Sequence, residues 1–220
     1  MSEINLQLVR EFFELNRFSV LTHWRHSDER AKASEDASLL FVEHLRGDEG
    51  GRAPFLLSGA TIQSVQRAVV EVRAWHGDRF YPSVIESSPI LAHVASREVE
   101  DLAREVFGGA NFTTILVISE LPASAVPRAR ALQLLQELGI GHVLEFGALL
   151  AALAAQLSGH GNYAPSHTLQ TLRLLKRYDL LRRQQLELPF PQEPLHAGPP
   201  TGVESDLARQ RELVEELEGD

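Results

Sequence analysis

The sequence predicts an α/β domain: a mixed five-stranded sheet flanked by helices, followed by a helical extension and an acidic tail. Three observations lead there. Residues 112–119 (FTTILVIS) are almost continuously apolar, as a central strand covered on both faces should be. An antiparallel-type cluster of short strand segments precedes this stretch, and helices alternate with strands after it, which builds a mixed sheet with helices on both faces. Residues 68–75 (AVVEVRAW) are rich in β-branched and aromatic residues and contain no Gly or Pro, so they read as a buried strand.

The elements follow in order. Residues 3–16 form an amphipathic helix on the stripe Ile4, Leu8, Val9, Phe12, Phe13 and Leu15, and Asn16 suits its C-terminus. Residues 18–24 and 39–45 are strands, separated by the charged segment 25–37. Residues 46–54 carry the Gly and Asp of a turn. Phe55, Leu56 and Leu57 have strand composition but stand outside the predicted five, and 61–67 suit a helical turn into the strand at 68–75. Ser88 and Pro89 open a helix to about Phe107, stopped by Gly108 and Gly109. After strand 112–119 come helix 127–138, strand 142–146, helix 148–157 and a last helix capped by Ser166 and running to about 184.

Length and composition set limits. A chain of 220 residues with 44% apolar content buries one sizeable core. It has no Cys, so neither disulfides nor thiolate chemistry enter. No apolar run approaches the ~20 residues that span a bilayer. The first residues lack a basic region before an apolar one, so the expected location is cytoplasmic. The net charge of −9 argues against general polyanion binding. That charge is concentrated at the end, however: from Gln192 to Asp220 eight acids face two arginines. The expected organisation is an α/β domain over 1–157, a helical extension over 158–184 and a flexible tail over 185–220.

The candidate chemistry starts in the strand at 68–75. Side chains alternate along a strand, so Glu71 and Arg73 share one face while Val70, Val72 and Ala74 share the other. Burying charge is expensive unless it is paired or used. Two readings follow: a structural ion pair, or an acid-x-base pair lining a solvent-reachable cleft.

With Asp36 just before the strand SLLFVEHL, Glu71-Val72-Arg73 in a later strand, and the helix–strand unit RALQLLQELGIGHVLEF beyond, residues 5–157 resemble the PD-(D/E)XK nuclease superfamily. In that superfamily a first helix precedes three meandering strands. The second strand begins with a metal-binding Asp, the third carries Glu-x-Lys, and helix, strand and helix complete a restriction-endonuclease-like core. The resemblance implies DNA as substrate, Mg²⁺ held by Asp36 and Glu71, and Arg73 at the catalytic Lys position. Two carboxylates would hold a metal that polarises phosphate and activates water. Arg is a larger, permanently protonated fork and not an equivalent of Lys. Glu35, Glu43 and Asp78 are substitute carboxylates, and Glu11 on the first helix is a candidate secondary ligand. The alternative is a non-catalytic scaffold that keeps the fold and binds a protein partner through its tail.

The last helix carries a dense basic cluster: Arg173, Lys176, Arg177, Arg182 and Arg183. It reads either as a solvated face or as a phosphate-contacting surface with Tyr178 available for stacking. The C-terminal part also looks like segments of uncharacterised bacterial proteins. Residues 185–190 (QLELPF) resemble the bacterial sliding-clamp-binding peptide, with Gln185, Leu186, Leu188 and Phe190 as anchors. A tail folded back on its own domain is the other reading; a partner's groove is the expected one. His23, His26 and His76 lack the spacing of a Zn site. The chain has no Gly-rich phosphate loop after a strand and no Gly-x-Ser-x-Gly elbow.

Overall fold

The computed structural model describes residues 3–22, 39–45, 53–77, 79–163 and 165–181. The chain divides into the units Met1–Leu181 and Arg182–Asp220. Helix α1 (Glu3–Leu15) leads into β1 (Phe18–Thr22), β2 (Leu39–His44), the two-residue β3 (Leu56–Leu57) and β4 (Arg67–Arg73). Then follow α2 (Pro82–Glu86), a 3₁₀ segment (Pro89–Ala95), α3 (Arg97–Val106), β5 (Thr113–Ile118), α4 (Ala125–Glu137), β6 (His142–Glu145), α5 (Phe146–Gln156) and α6 (His167–Arg177).

The sheet is mixed and six-stranded, ordered β1-β2-β4-β5-β6-β3. The five expected strands are present, and β3 is the sixth. It pairs parallel to β6, Leu56 with Val143 and Leu57 with Leu144, so the expected count of five was one short. The strand composition of Phe55–Leu57 is borne out, but two paired residues carry too little periodicity to place it in the sheet; Phe55 O accepting the Val143 N–H extends its pairing. β1, β2 and β4 form an antiparallel meander, and β4, β5 and β6 run parallel. Ile115, Leu116, Val117 and Ile118 of β5 are fully buried, as a strand with parallel neighbours and two covered faces requires.

Two hydrophobic layers sandwich the sheet. On one face α1, α5 and α6 bring Phe12, Phe13, Leu149, Leu153 and Leu169 onto Val70, Val72, Ile115 and Val117. On the other, α2, α3, α4 and the 3₁₀ segment bring Ile85, Leu91, Val99 and Leu135 onto Phe41, Val69, Leu116 and Ile118. Fully burying one such side chain contributes about 1.5–3 kcal/mol.

Helix boundaries moved for local reasons. The helix expected over 88–107 breaks at Ser96, whose extended backbone ends the 3₁₀ segment and whose Oγ accepts the Val99 N–H to restart the chain as α3. α2, not expected, begins with Pro82 in its first turn, where a missing N–H costs nothing. α5 starts directly from the last residue of β6, two residues earlier than expected. α6 ends at Arg177, well short of 184. There Asp179 takes φ +55°, the Leu180 N–H bonds Leu175 O at 2.8 Å and the Asp179 N–H bonds Lys176 O at 3.2 Å. That bond pair is a Schellman stop, reached here with Asp rather than Gly in the left-handed position. Among the described residues no helix is long and apolar enough to cross a membrane.

Candidate functional site

β4 delivers Glu71 and Arg73 to the face covered by the 3₁₀ segment, where their main-chain register opposes Leu116 and Ile118 of β5. Both are buried, Glu71 completely and Arg73 to 5% exposure. The expected solvent-reachable cleft over this pair is therefore corrected: the segment Pro89–Ala95 lies over it. Arg73 Nε donates to Glu71 Oε1 at 2.7 Å, and Arg73 Nη2 lies 2.5 Å from the same oxygen. His93, from the covering segment, sets Nδ1 at 3.3 Å from both Oε1 and Oε2. Since the carboxylate only accepts, Nδ1 carries the hydrogen and Nε2 holds the lone pair in the neutral ring. The low dielectric strengthens these contacts, and the pairing compensates the cost of burying Glu71.

His93 is the partner that sequence reasoning missed. A lone His on an apolar stretch, 22 residues from Glu71 in sequence, gave no periodic signal. Only the fold-back of the 3₁₀ segment creates the contact.

The remaining sequence candidates separate. Asp36, Glu35 and Asp78 lie outside the described residues. Glu43 faces the same side as Glu71 but sits four residues along β2 from Leu39, the register partner of Glu71, which is ~13 Å of strand. It binds Arg67 there, with Nε at 2.7 Å. Glu11 is on α1, across the sheet from Glu71, and is corrected as a secondary ligand for that reason. Its Oε1 accepts from Gln7 Nε2 at 2.7 Å and from the Ser166 hydroxyl. Among the described residues no group of three or more His, Cys, Asp or Glu side chains could hold a metal ion. Glu71 offers one carboxylate, with a guanidinium already on its Oε1. The described residues thus do not fit Mg²⁺.

Two members of the basic cluster of the last helix, Arg173 and Lys176, are engaged within the fold. Lys176 Nζ donates to the carbonyls of Ala154 at 2.6 Å, Leu157 at 2.5 Å and Ala155 at 3.3 Å. It therefore satisfies the orphan carbonyls at the end of α5, where a cation is favoured by the helix dipole. Arg173 donates to Gln170 Oε1 at 2.8 Å and contacts Gly159 O at 3.4 Å. Arg177 is exposed. Arg182 and Arg183 lie outside the described residues, as do Gln185, Leu186, Leu188 and Phe190.

A crevice of about 390 Å³ opens at the carboxyl ends of β4, β5 and β6, lined by His76, Gly77, Arg79, Ser119, Glu120, Phe146, Gly147 and Leu150. His76 Nε2 meets Asn5 Oδ1 at 3.2 Å, and its ring meets Phe146 edge-on at 4.8 Å. Asn5 is itself fixed through Nδ2 to Ala74 O at 3.3 Å. Arg79 Nε donates to Glu120 Oε1 at 2.5 Å, and this hydrogen bond raises the guanidinium pKa further above its ordinary value.

No protein-family model, curated protein or solved structure matches this chain.

Proposed function

We propose that this chain is a degenerate, non-cleaving relative of the PD-(D/E)XK nucleases that serves as a binding scaffold, with a protein partner engaged through Gln185–Phe190. The helix, antiparallel three-strand meander, helices, parallel strand and further helix follow the order the resemblance implies, which supports a restriction-endonuclease-like core. The observation that carries the reading is the state of Glu71. A metal-binding carboxylate needs a free oxygen and a second carboxylate at hand. Glu71 instead is dehydrated beneath the 3₁₀ segment, with Arg73 on one oxygen and His93 across both. Arg73 holds the Lys position with its guanidinium folded onto the acid through Nε and Nη2.

The decisive assay incubates the protein with linear and circular DNA in Mg²⁺ and in Mn²⁺, beside Glu71→Gln. No metal-dependent cleavage is expected from either protein. Cleavage by the wild type that Glu71→Gln abolishes would sink the scaffold reading and restore the nuclease.

The tail reading has its own test. Removing residues after Leu181 is expected to leave the melting temperature unchanged, because α6 is already closed by its Schellman stop and Leu169 seats it in the core. The same truncation is expected to abolish capture of a partner, with purified bacterial sliding clamp as the first candidate. Three anchors buried at roughly 1.5–3 kcal/mol each bring, before ordering costs, a gross gain whose upper end matches the ~8 kcal/mol of a micromolar contact. A large fall in melting temperature would assign the peptide to the chain's own core.

A further inference from the structure

The two edges of the sheet are finished differently. β3 offers two residues, too short a template for another strand. β1 offers five, Phe18–Thr22, in unbroken register with β2 and with neither a charge nor a Pro among them. Charged side chains, Pro and bulges are the usual protection of an exposed edge, and β1 has none of them. Among the described residues no strand lies on its outer side.

The register decides which main-chain groups face that open edge. The Leu45 N–H bonds Arg17 O, whereas the His44 N–H bonds Gln66 O on the side of β4. Hydrogen-bonded pairs alternate along an antiparallel ladder. Ser19 with Glu43 and Leu21 with Phe41 therefore exchange the bonds between β1 and β2. Phe18, Val20 and Thr22 turn their N–H and C=O groups outward, and these three positions are symmetric about Val20. A second copy laid antiparallel across the edge pairs Val20 with its own equivalent and Phe18 with Thr22 of the second copy, each pair exchanging two bonds. The side chains suit the same two-fold axis. Leu21 is 54% exposed although it stands beside the buried Phe41. Across the axis it meets Ser19 of the second copy directly and Leu21 of the second copy diagonally, at the ~7–8 Å over which cross-strand side chains still touch. No like charges oppose one another along the ladder. Such a pair closes on itself and covers both open edges at once, which a strand of another protein does not.

We propose that β1 is the interface of a two-fold homodimer, in which two six-stranded sheets join edge to edge through Phe18–Thr22. A five-residue ladder is small beside the about 800 Å² per partner of a standard interface, so the expected Kd is on the order of tens of micromolar. The interface goes beyond the scaffold reading and does not depend on it, since neither Glu71 nor the tail takes part.

Sedimentation equilibrium of the full chain from about 1 to about 300 µM tests it, and a monomer–dimer curve is expected. Val20→Pro is the blocking variant. It removes an N–H that faces the open edge and leaves the bonds to β2 in place, the position at which an edge strand tolerates Pro. It is expected to weaken association at least tenfold. Leu21→Lys changes an exposed side chain instead, sets two like charges diagonally across the axis, and is expected to weaken association as well. Circular dichroism checks that both variants keep the fold. Because the chain has no Cys, disulfide trapping reads the register directly. Val20→Cys under mild oxidation is expected to give a covalent dimer, since the Cα atoms of a hydrogen-bonded pair stand about 5.5 Å apart, within the span of a disulfide. Ser19→Cys, at a more exposed position, is expected to cross-link at least tenfold more slowly, because its equivalent lies one diagonal away. The proposal is overturned if the wild type stays monomeric at about 300 µM, if Val20→Pro and Leu21→Lys both associate as wild type does, or if Ser19→Cys cross-links as fast as Val20→Cys.

Discussion

Glu71→Ala and Arg73→Ala are each expected to lower the unfolding free energy by about 3–5 kcal/mol, because each leaves its partner as an uncompensated buried charge. The double variant Glu71→Leu/Arg73→Met is expected to unfold within about 1 kcal/mol of wild type or to be more stable, since it replaces a dehydrated ion pair by packed apolar volume. Equilibrium urea unfolding measures all three. The sign of the coupling is the informative quantity: the double variant should recover most of what either single one loses. Single variants costing under about 1 kcal/mol would mean that water reaches the pair, and the closed-site argument would fail with them. His93→Ala should cost less than either, because the ring is partly exposed and Glu71 keeps both contacts from Arg73. Typical domain stabilities are about 5–15 kcal/mol, so the two single variants come near the limit of a stable fold.

Much of the fold was legible because it follows from periodicity and punctuation. β5 could be recognised as central from its unbroken apolar run, and α1 from its stripe. Gly139, at φ +79°, closes α4 one residue after the expected helix end at 138. The failures are equally physical. β3 was too short to carry a period. The break at Ser96 depended on one hydroxyl finding one N–H. The end of α6 depended on Asp179 accepting a left-handed backbone, a conformation that sequence rules assign to Gly or Asn first.

The site was half legible. Two charges on one face of an apolar strand correctly marked an unusual place, and the shared face of Glu71 and Arg73 followed from the period of two. Whether that place was a cleft or an ion pair could not follow, because the answer depends on what covers β4. The cover is the 3₁₀ segment, which returns to β4 only after α2. Lys176 illustrates the same limit from the other side. In sequence it belongs to a basic patch; in the fold its ammonium closes the end of α5, a contact between helices 20 residues apart. The strand-end crevice was the least legible, since its lining comes from the segments that follow three different strands.

Phe13→Ala is expected to cost about 3–5 kcal/mol. Phe13 is fully buried between two other rings, Phe12 at 5.4 Å and Phe18 at 5.3 Å, both edge-to-face. Removing it opens a cavity under α1 that its neighbours can only partly fill, and loses two aromatic contacts of about 0.5–1.5 kcal/mol each. Phe13→Leu keeps most of the volume and should cost roughly half as much. The effect should also travel along α1. Asn5 sits two turns before Phe13 on that helix and holds His76 at the crevice, so a loosened α1 should free the His76 ring. Hydrogen exchange of α1 and the ¹⁵N shifts of the His76 imidazole would report both. A Phe13→Ala chain that unfolds like wild type would show that α1 is not seated by these rings. A destabilised chain with an unchanged His76 signal would instead show that Asn5 is held by the sheet through Ala74 rather than by its own helix.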